Sequence, residues 1–157
     1  MAILDLTLEN LAYHQENVQA LRADTDRLWG EMSVEPMMWH LRRTIELSLD
    51  DPDNEMTLIA PPIIRDVAGW IFFDLFTIWK KGKLKSLPMF ISDDVGSFSE
   101  EQGKLLNAMQ DFVLYCAAHL KEKHIHPLLG HVPLRRWAHA HGVHNNHHYR
   151  QFGLVSP

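Results

Sequence analysis

The sequence predicts an all-α protein that forms a single domain over residues 1–157. Its length suits one ordinary domain, and a composition of 46% hydrophobic and 22% charged residues is enough for a packed core. Apolar residues recur at helical spacing in five segments, and no segment alternates as a half-buried strand does. We therefore expect a four-helix bundle with an additional helix.

The first two predicted helices occupy the N-terminal part of the chain. One runs from about Leu6 to Trp29. The other begins after Ser33, a suitable N-cap, and ends near Leu49, before a breaker of aspartates and proline at residues 50–54. The spacing that predicts the first helix is carried by Leu8, Leu11, Val18, Leu21 and Leu28.

The third predicted helix, from about Ile63 to Lys80, is apolar nearly all round, which is typical of a helix in the centre of a fold. A single bundle core is expected to leave part of this surface uncovered, so we also predict a homodimer, which sedimentation equilibrium would detect. The alternative is a helix that is simply central in a monomer. The aromatic residues concerned are Trp70, Phe72, Phe73, Phe76 and Trp79.

The last two predicted helices lie in the C-terminal half. Ser99, followed three residues later by Gln102, indicates a capping box for a helix that reaches about Lys123. The segment from His124 to Val132 contains proline and glycine and is expected to be a connector. Pro133 suits the first turn of the final helix, which runs to about Phe152.

Composition excludes several classes of protein. A net charge of -5 argues against a general affinity for nucleic acid. Cys116 is the single cysteine, so neither an intrachain disulfide nor a thiolate zinc site can form. The first ten residues lack the basic region with which a secretory signal peptide begins. The longest apolar stretch, Val67 to Trp79, is too short to span a bilayer. We expect a cytoplasmic protein.

Histidine is the unusual feature of the composition. The chain has 11 histidines, and eight of them lie between His124 and His148. Residues four apart share one face of a helix, so His144 and His148 are placed to hold one ion, with Gln151 on the same face. His141 with His144, or His144 with His147, could also pair. A solvated surface that binds no metal is the plain alternative.

A metal site of this kind needs a third ligand from another part of the chain. The isolated candidates are His14, His40 and His119. His14 and His119 have charged neighbours and are expected to be exposed. His40 lies in the most regular amphipathic helix, where an imidazole without a partner would be costly to bury. Three histidines with open coordination positions describe a catalytic type of site.

Three parts of the sequence resemble the DinB-like superfamily. Met38-Trp39-His40-Leu41 resembles its second-helix histidine block, and the segment from His144 to Gln151 resembles its closing H-x-x-x-H-x-x-Q signature. The segment Pro127-Leu128-Leu129-Gly130, followed by Trp137 and by residues 147–153, is similar to a domain-of-unknown-function subfamily within it.

The resemblance implies a bundle with up-down-down-up topology and a divalent ion, nickel or zinc, held by His40, His144 and His148. Gln151 would lie beside the ligands, and His147 could replace one of them or point away. Members include thiol-cofactor-dependent transferases and isomerases, and others are named as hydrolases. We therefore expect a metal-dependent enzyme, a hydrolase or a thiol-dependent transferase, that acts on a small molecule and takes a low-molecular-weight thiol as a partner.

The alternative to an enzyme is a non-catalytic helical scaffold that binds a metal or another ligand. A pocket that is open to solvent and reaches the metal between the second and last helices would favour the enzyme, with Trp137, Tyr149, Gln151 and His147 as its candidate walls. A di-iron carboxylate bundle is disfavoured because no glutamate is followed three residues later by histidine. The zinc-protease motif H-E-x-x-H is also absent.

Overall fold

The computed structural model describes residues 3–49, 90–92, 94–119, 121–126 and 130–156. This part of the chain is mainly helical, with one small antiparallel sheet. Its elements are α1 (Leu11–Gln19), α2 (Val34–Leu49), α3 (Phe98–Ala118), β1 (Lys123–His126), β2 (Gly130–Pro133) and α4 (Leu134–Gln151). The predicted helix from Ile63 to Lys80, and with it the predicted dimer surface, lies outside the described residues.

Two of the predicted helices, the one after Ser33 and the final one, are confirmed at nearly the predicted bounds as α2 and α4. The first predicted helix is wrong in its extent, because α1 covers only Leu11–Gln19. Leu8 and Leu28, whose spacing predicts a longer apolar face, are 56% and 71% exposed. A helix through these residues would have had no core against which to pack.

The start of α3 also differs from the prediction. Its N-cap is Ser97, with Glu100 in the reciprocal position of the capping box. The Ser97 backbone N–H donates to a Glu100 carboxylate oxygen over 2.8 Å. The sequence offers two serines with a suitable partner three residues on, and a carboxylate is the stronger acceptor near the positive end of a helix. The helix ends at Ala118, short of the predicted Lys123.

The segment that was expected to be a connector contains a β-hairpin, which corrects the prediction that the chain has no strand. Lys123 pairs with Pro133 and His126 pairs with Gly130 in antiparallel register. His124 and Val132 are opposite one another and both are buried. Strands of four residues are too short to display an alternating pattern clearly in the sequence.

The apolar core lies mainly between α2 and α3. It contains Met37, Leu41 and Ile45 from α2 and Leu105, Met109 and Phe112 from α3, all of which have no exposed surface. The α4 helix is different, because 12 of its 18 residues are buried and half of these are histidine, asparagine or glutamine. Buried polar side chains need hydrogen-bond partners, and for His144, His148 and Gln151 these partners lie at the candidate site.

The segment around Leu4 and Asp5 packs directly onto the backbone of α4. The Leu6 backbone N–H donates to the carbonyl oxygen of Ala138 over 2.9 Å. A Cβ atom at Gly142 would collide with the Leu4 carbonyl oxygen and would lie 2.7 Å from Asp5 Cα. Glycine at this position therefore allows the two pieces of backbone to approach closely.

Replacing Gly142 with alanine should destabilise the fold by about 2 kcal/mol or more, because the colliding atoms belong to backbone that must shift. The matched control is Gly103→Ala in α3, where an added Cβ meets no atom within 4 Å. Alanine there should stabilise by about 0.5–1 kcal/mol through its better helix propensity. Urea unfolding measures both changes, and equal effects at the two glycines would contradict this description.

Among the described residues, no helix combines the length and the apolar character that crossing a bilayer requires.

Candidate metal centre

Three histidines from two helices converge at the interface between α2 and α4. His40 comes from α2, and His144 and His148 come from successive turns of α4. The Nε2 atom of His144 lies 2.9 Å from Nε2 of His40 and 3.2 Å from Nε2 of His148. The three rings are buried, and within the described residues they form the one group that is close enough to hold a metal ion.

The spacing of these nitrogens suits a small transition-metal ion. Zinc binds imidazole nitrogen at about 2.0–2.1 Å, so two nitrogens on a tetrahedral ion lie roughly 3.3 Å apart. All three ligand atoms here lie within 4.8 Å of one another, and the two shorter separations are close to this value. Small side-chain movements would therefore complete a three-nitrogen site.

Hydrogen bonds behind the rings of His40 and His148 turn their Nε2 lone pairs toward the centre. The Nδ1–H of His40 donates to the Phe90 carbonyl oxygen over 2.9 Å, because a carbonyl can only accept. The Nδ1–H of His148 donates to Oε1 of Gln151 over 2.7 Å. The amide of Gln151 is oriented by its own NH₂ group, which donates to the Trp29 carbonyl oxygen over 2.8 Å.

His144 has a similar partner behind its ring. Its Nδ1 lies 3.5 Å from the hydroxyl oxygen of Thr44, and that hydroxyl donates its proton to the carbonyl oxygen of Leu41 over 2.8 Å. The Thr44 oxygen can therefore accept from Nδ1–H of His144, which would free Nε2 for an ion. All three imidazoles thus have an acceptor placed behind Nδ1, the usual arrangement around metal-binding histidines.

Burial keeps these rings neutral. It lowers the pKa of His40, and it lowers the pKa values of His144 and His148 well below their ordinary range, with the charge of the neighbouring histidines adding to the effect. Protonating any one of them would place a charge in a poorly hydrated site beside the others. Neutral imidazole is the form that binds a metal.

The other histidines of α4 point to different partners. Nε2 of His141 lies 2.9 Å from the Ser48 hydroxyl. The ring of His147 packs edge-on against Trp29, with ring centres 4.8 Å apart. His139 pairs with the Asp5 carboxylate over 2.8 Å. The spacing also allowed His144 to pair with His141 or His147. In the structure His148 is the residue of α4 that joins His144 and His40.

The prediction that His14 is exposed is wrong. His14 is completely buried, with Nε2 within 3.1 Å of the Leu4 carbonyl oxygen and Nδ1 3.3 Å from the Tyr149 hydroxyl. Its partners come from the segment before α1 and from α4, so the charged sequence neighbours of His14 gave no indication of them. His119 is partly exposed, and its Nδ1 lies 2.9 Å from the Tyr115 carbonyl oxygen.

The proposed walls of a pocket occupy different places. Gln151 contacts a candidate ligand directly, and His147 lies beside His148, with ring centres 5.2 Å apart. The Trp137 indole stacks on His141, and the Tyr149 hydroxyl lies on the α1 side, against His14. A pocket that reaches the metal remains a prediction, because residues 50–89 lie outside the described part of the chain.

Two groups at the site were missed from the sequence. Thr44 lies four residues after His40, and that spacing could have placed it on the same face of α2. The Phe90 carbonyl is a backbone group some fifty residues from His40. No sequence pattern indicates that it accepts a hydrogen bond from His40.

Comparison with known proteins gives a family and no activity. The family model described as "Protein of unknown function (DUF1569)" matches residues 2–154, which is nearly the whole chain. No curated protein and no solved structure matches the sequence.

Proposed function

Since the chain belongs to the DUF1569 family of proteins of unknown function, we propose its activity from the site: it binds one divalent transition-metal ion through His40, His144 and His148. We further propose that the bound ion makes the protein a metal-dependent enzyme, a hydrolase or a thiol-dependent transferase, that acts on a small molecule. The proposed native ion is zinc or nickel.

The convergence of three Nε2 atoms, each with an acceptor behind its ring, carries the proposal. The lone pairs of His40 and His148 point toward the same place as Nε2 of His144. In the protein without metal, an N–H on His144 can donate to them. A cation at this place would be held by all three nitrogens, with the proton of His144 on Nδ1, which lies beside Thr44.

We also propose that the chain forms a DinB-like four-helix bundle with an additional helix. The support is the position of the histidines, one on the second helix and a pair on the last, in the same order as in the motifs that the sequence resembles. The α2 and α4 helices pack together and bring these motifs into contact. The predicted helix from about Ile63 to Lys80, which lies outside the described residues, would be the fifth.

The chemistry follows from an uncharged set of ligands. Three neutral imidazoles, backed by a carbonyl, a hydroxyl and an amide, leave the positive charge of an ion uncompensated. When bound, such an ion lowers the pKa of a water or thiol or polarises a carbonyl. The residues of this chain would hold the ion, keep the three rings in one tautomer and leave coordination positions for a substrate or thiol.

Metal analysis of protein purified without a histidine tag is the first test, and we expect close to one equivalent of zinc or nickel. Metal-loaded protein should then be assayed on thiol conjugates and esters, beside a His40→Ala variant as a control for contaminating enzymes. Metal binding without turnover would contradict the enzyme and leave the metal-binding scaffold. Failure to bind zinc, nickel or cobalt would contradict both.

The affinity for Zn²⁺ should change little from about pH 8 to about pH 6.5 and fall in more acid solution, where protons compete for the imidazoles. The lowered pKa values of His40, His144 and His148 place this fall below the ordinary histidine range. Competition with a chromophoric chelator measures it, with circular dichroism at each pH to verify folding. A steep loss of affinity above about pH 6.5 would argue against buried histidine ligands.

A further inference from the structure

An exposed turn before α2 is joined to the last turn of α4 by two hydrogen bonds. The Leu28 backbone N–H donates to the Gln151 carbonyl oxygen over 2.7 Å, and the Gln151 side-chain NH₂ donates to the Trp29 carbonyl oxygen over 2.8 Å. The turn is closed by the Arg27 guanidinium, which donates to the Gly30 carbonyl oxygen over 2.8 Å. We call residues 27–30 the α1–α2 turn.

Gly30 allows this contact in two ways. Its φ of 84° lies in the left-handed region, which favours glycine. A Cβ atom added at Gly30 would also collide with the side-chain nitrogen of Gln151. The absence of a side chain at Gly30 therefore leaves the space that the Gln151 amide occupies.

The orientation of this amide decides which nitrogen of His148 is available to an ion. In the observed orientation the amide oxygen accepts from His148 Nδ1–H over 2.7 Å, and the Nε2 lone pair points to the site. In the flipped orientation the amide NH₂ would face Nδ1, which would then have to accept. The ring proton would move to Nε2, where it would obstruct the metal.

We infer that the α1–α2 turn is a positioning element of the candidate metal centre. The Trp29 carbonyl fixes the Gln151 amide, and the amide fixes the tautomer and the ring orientation of His148. Gly30 is the positioning residue that makes this approach possible. The role deepens the proposed function and rests on it, since it assigns a purpose to residues that touch no ion. Partners of this kind typically contribute roughly 10–100-fold to metal affinity.

The test compares two glycines that both have a positive φ and that both lie near the C-terminal end of α4. Gly30→Ala places a methyl group on the Gln151 amide. Gly153, with φ of 70°, provides the control, because a Cβ there meets nothing closer than a Leu28 methyl carbon at 3.4 Å. Gly30→Ala should lower the affinity for Zn²⁺ by about 10–100-fold, whereas Gly153→Ala should leave it unchanged.

A double-mutant cycle with Gln151→Met separates positioning from general damage. Methionine keeps the length of the side chain and removes both amide hydrogen bonds. Gln151→Met alone should weaken Zn²⁺ binding to a similar extent, and Gly30→Ala should add nothing in that background. The inference would be overturned if Gly30→Ala left the affinity for Zn²⁺ unchanged. It would also be overturned if Gly30→Ala lowered that affinity equally in the wild type and in Gln151→Met. If Gly30→Ala does not fold, a wild-type affinity for Zn²⁺ in Gln151→Met would also overturn the inference.

A second readout requires no metal. Heteronuclear NMR of the imidazole nitrogens reports the tautomer of His148, which should carry its proton on Nδ1 in the wild type and Gly153→Ala and lose this preference in Gly30→Ala. If the wild type binds no metal, the proposed function fails, and this measurement still decides the positioning role. The same His148 tautomer in all three proteins would refute it.

Discussion

Replacing His144 with alanine should lower the affinity for Zn²⁺ by roughly 10²–10³-fold. Its Nε2 is the central atom of the site, within 3.2 Å of the corresponding atoms of His40 and His148. Removing it takes away the one candidate ligand that lies within 3.2 Å of both others and leaves only two imidazoles at the site. Competition with a chromophoric chelator at neutral pH measures the change.

The matched control is His147→Ala on the same turn of α4. His147 neighbours a candidate ligand in sequence, yet its ring packs against Trp29. We expect its replacement to cause a much smaller loss of affinity. Equal losses for the two variants would indicate that the histidines of α4 bind metal as a loose cluster, in which case the three-histidine site would be wrong.

Acid should destabilise the metal-free fold strongly, because histidines that are neutral in the folded state become protonated on unfolding. Burial lowers the pKa of His141 to about 3 and that of His126 to about 4. In the unfolded chain their pKa values are about 6.5. Below that pH the unfolded state binds more protons, so the free energy of unfolding should fall by about 1.4 kcal/mol per pH unit for each such histidine. For His141 the loss should continue until about pH 3.

Urea unfolding in the presence of a chelator, repeated between about pH 7 and about pH 5, measures this slope. His141→Gln keeps a donor toward the Ser48 hydroxyl and removes the titrating group. The slope of the unfolding free energy against pH should therefore decrease by an amount that corresponds to about one bound proton. The control is His131→Gln on β2, because His131 is exposed to water in the folded protein. A slope that His141→Gln does not change would show that the ring is accessible to protons in the folded state.

The part of the site that the sequence predicts is the part set by helix geometry. Four-residue spacing places His144 and His148 on one face of a helix, and Gln151 follows on that face. His40 is predicted more weakly, from its place in an amphipathic helix. The meeting of the two helices is a tertiary event, and within one sequence nothing measures the distance between residues 104 positions apart.

The predictions from the sequence that are wrong have one physical origin. Contacts with residues that are distant in the chain override the local sequence pattern. His14 has charged neighbours in sequence, but its hydrogen bonds go to backbone carbonyls before α1 and to Tyr149. The hairpin at Lys123–Pro133 is held by pairing between strands too short to show a period. Leucines at helical spacing extend the prediction for the first helix beyond α1, although two of them, Leu8 and Leu28, are exposed.

The distance along the chain between His40 and the other two candidate ligands has a consequence for synthesis on the ribosome. His40 leaves the exit tunnel about a hundred residues before His144, and chains grow at roughly 5–20 residues per second. For several seconds the nascent chain carries His40 without α4, the helix that provides the other two candidate ligands. A cluster of histidines then emerges together, able to take up metal before α4 has docked. An ion bound by the α4 histidines alone at that stage would hold His144 and His148 away from His40 until it dissociates.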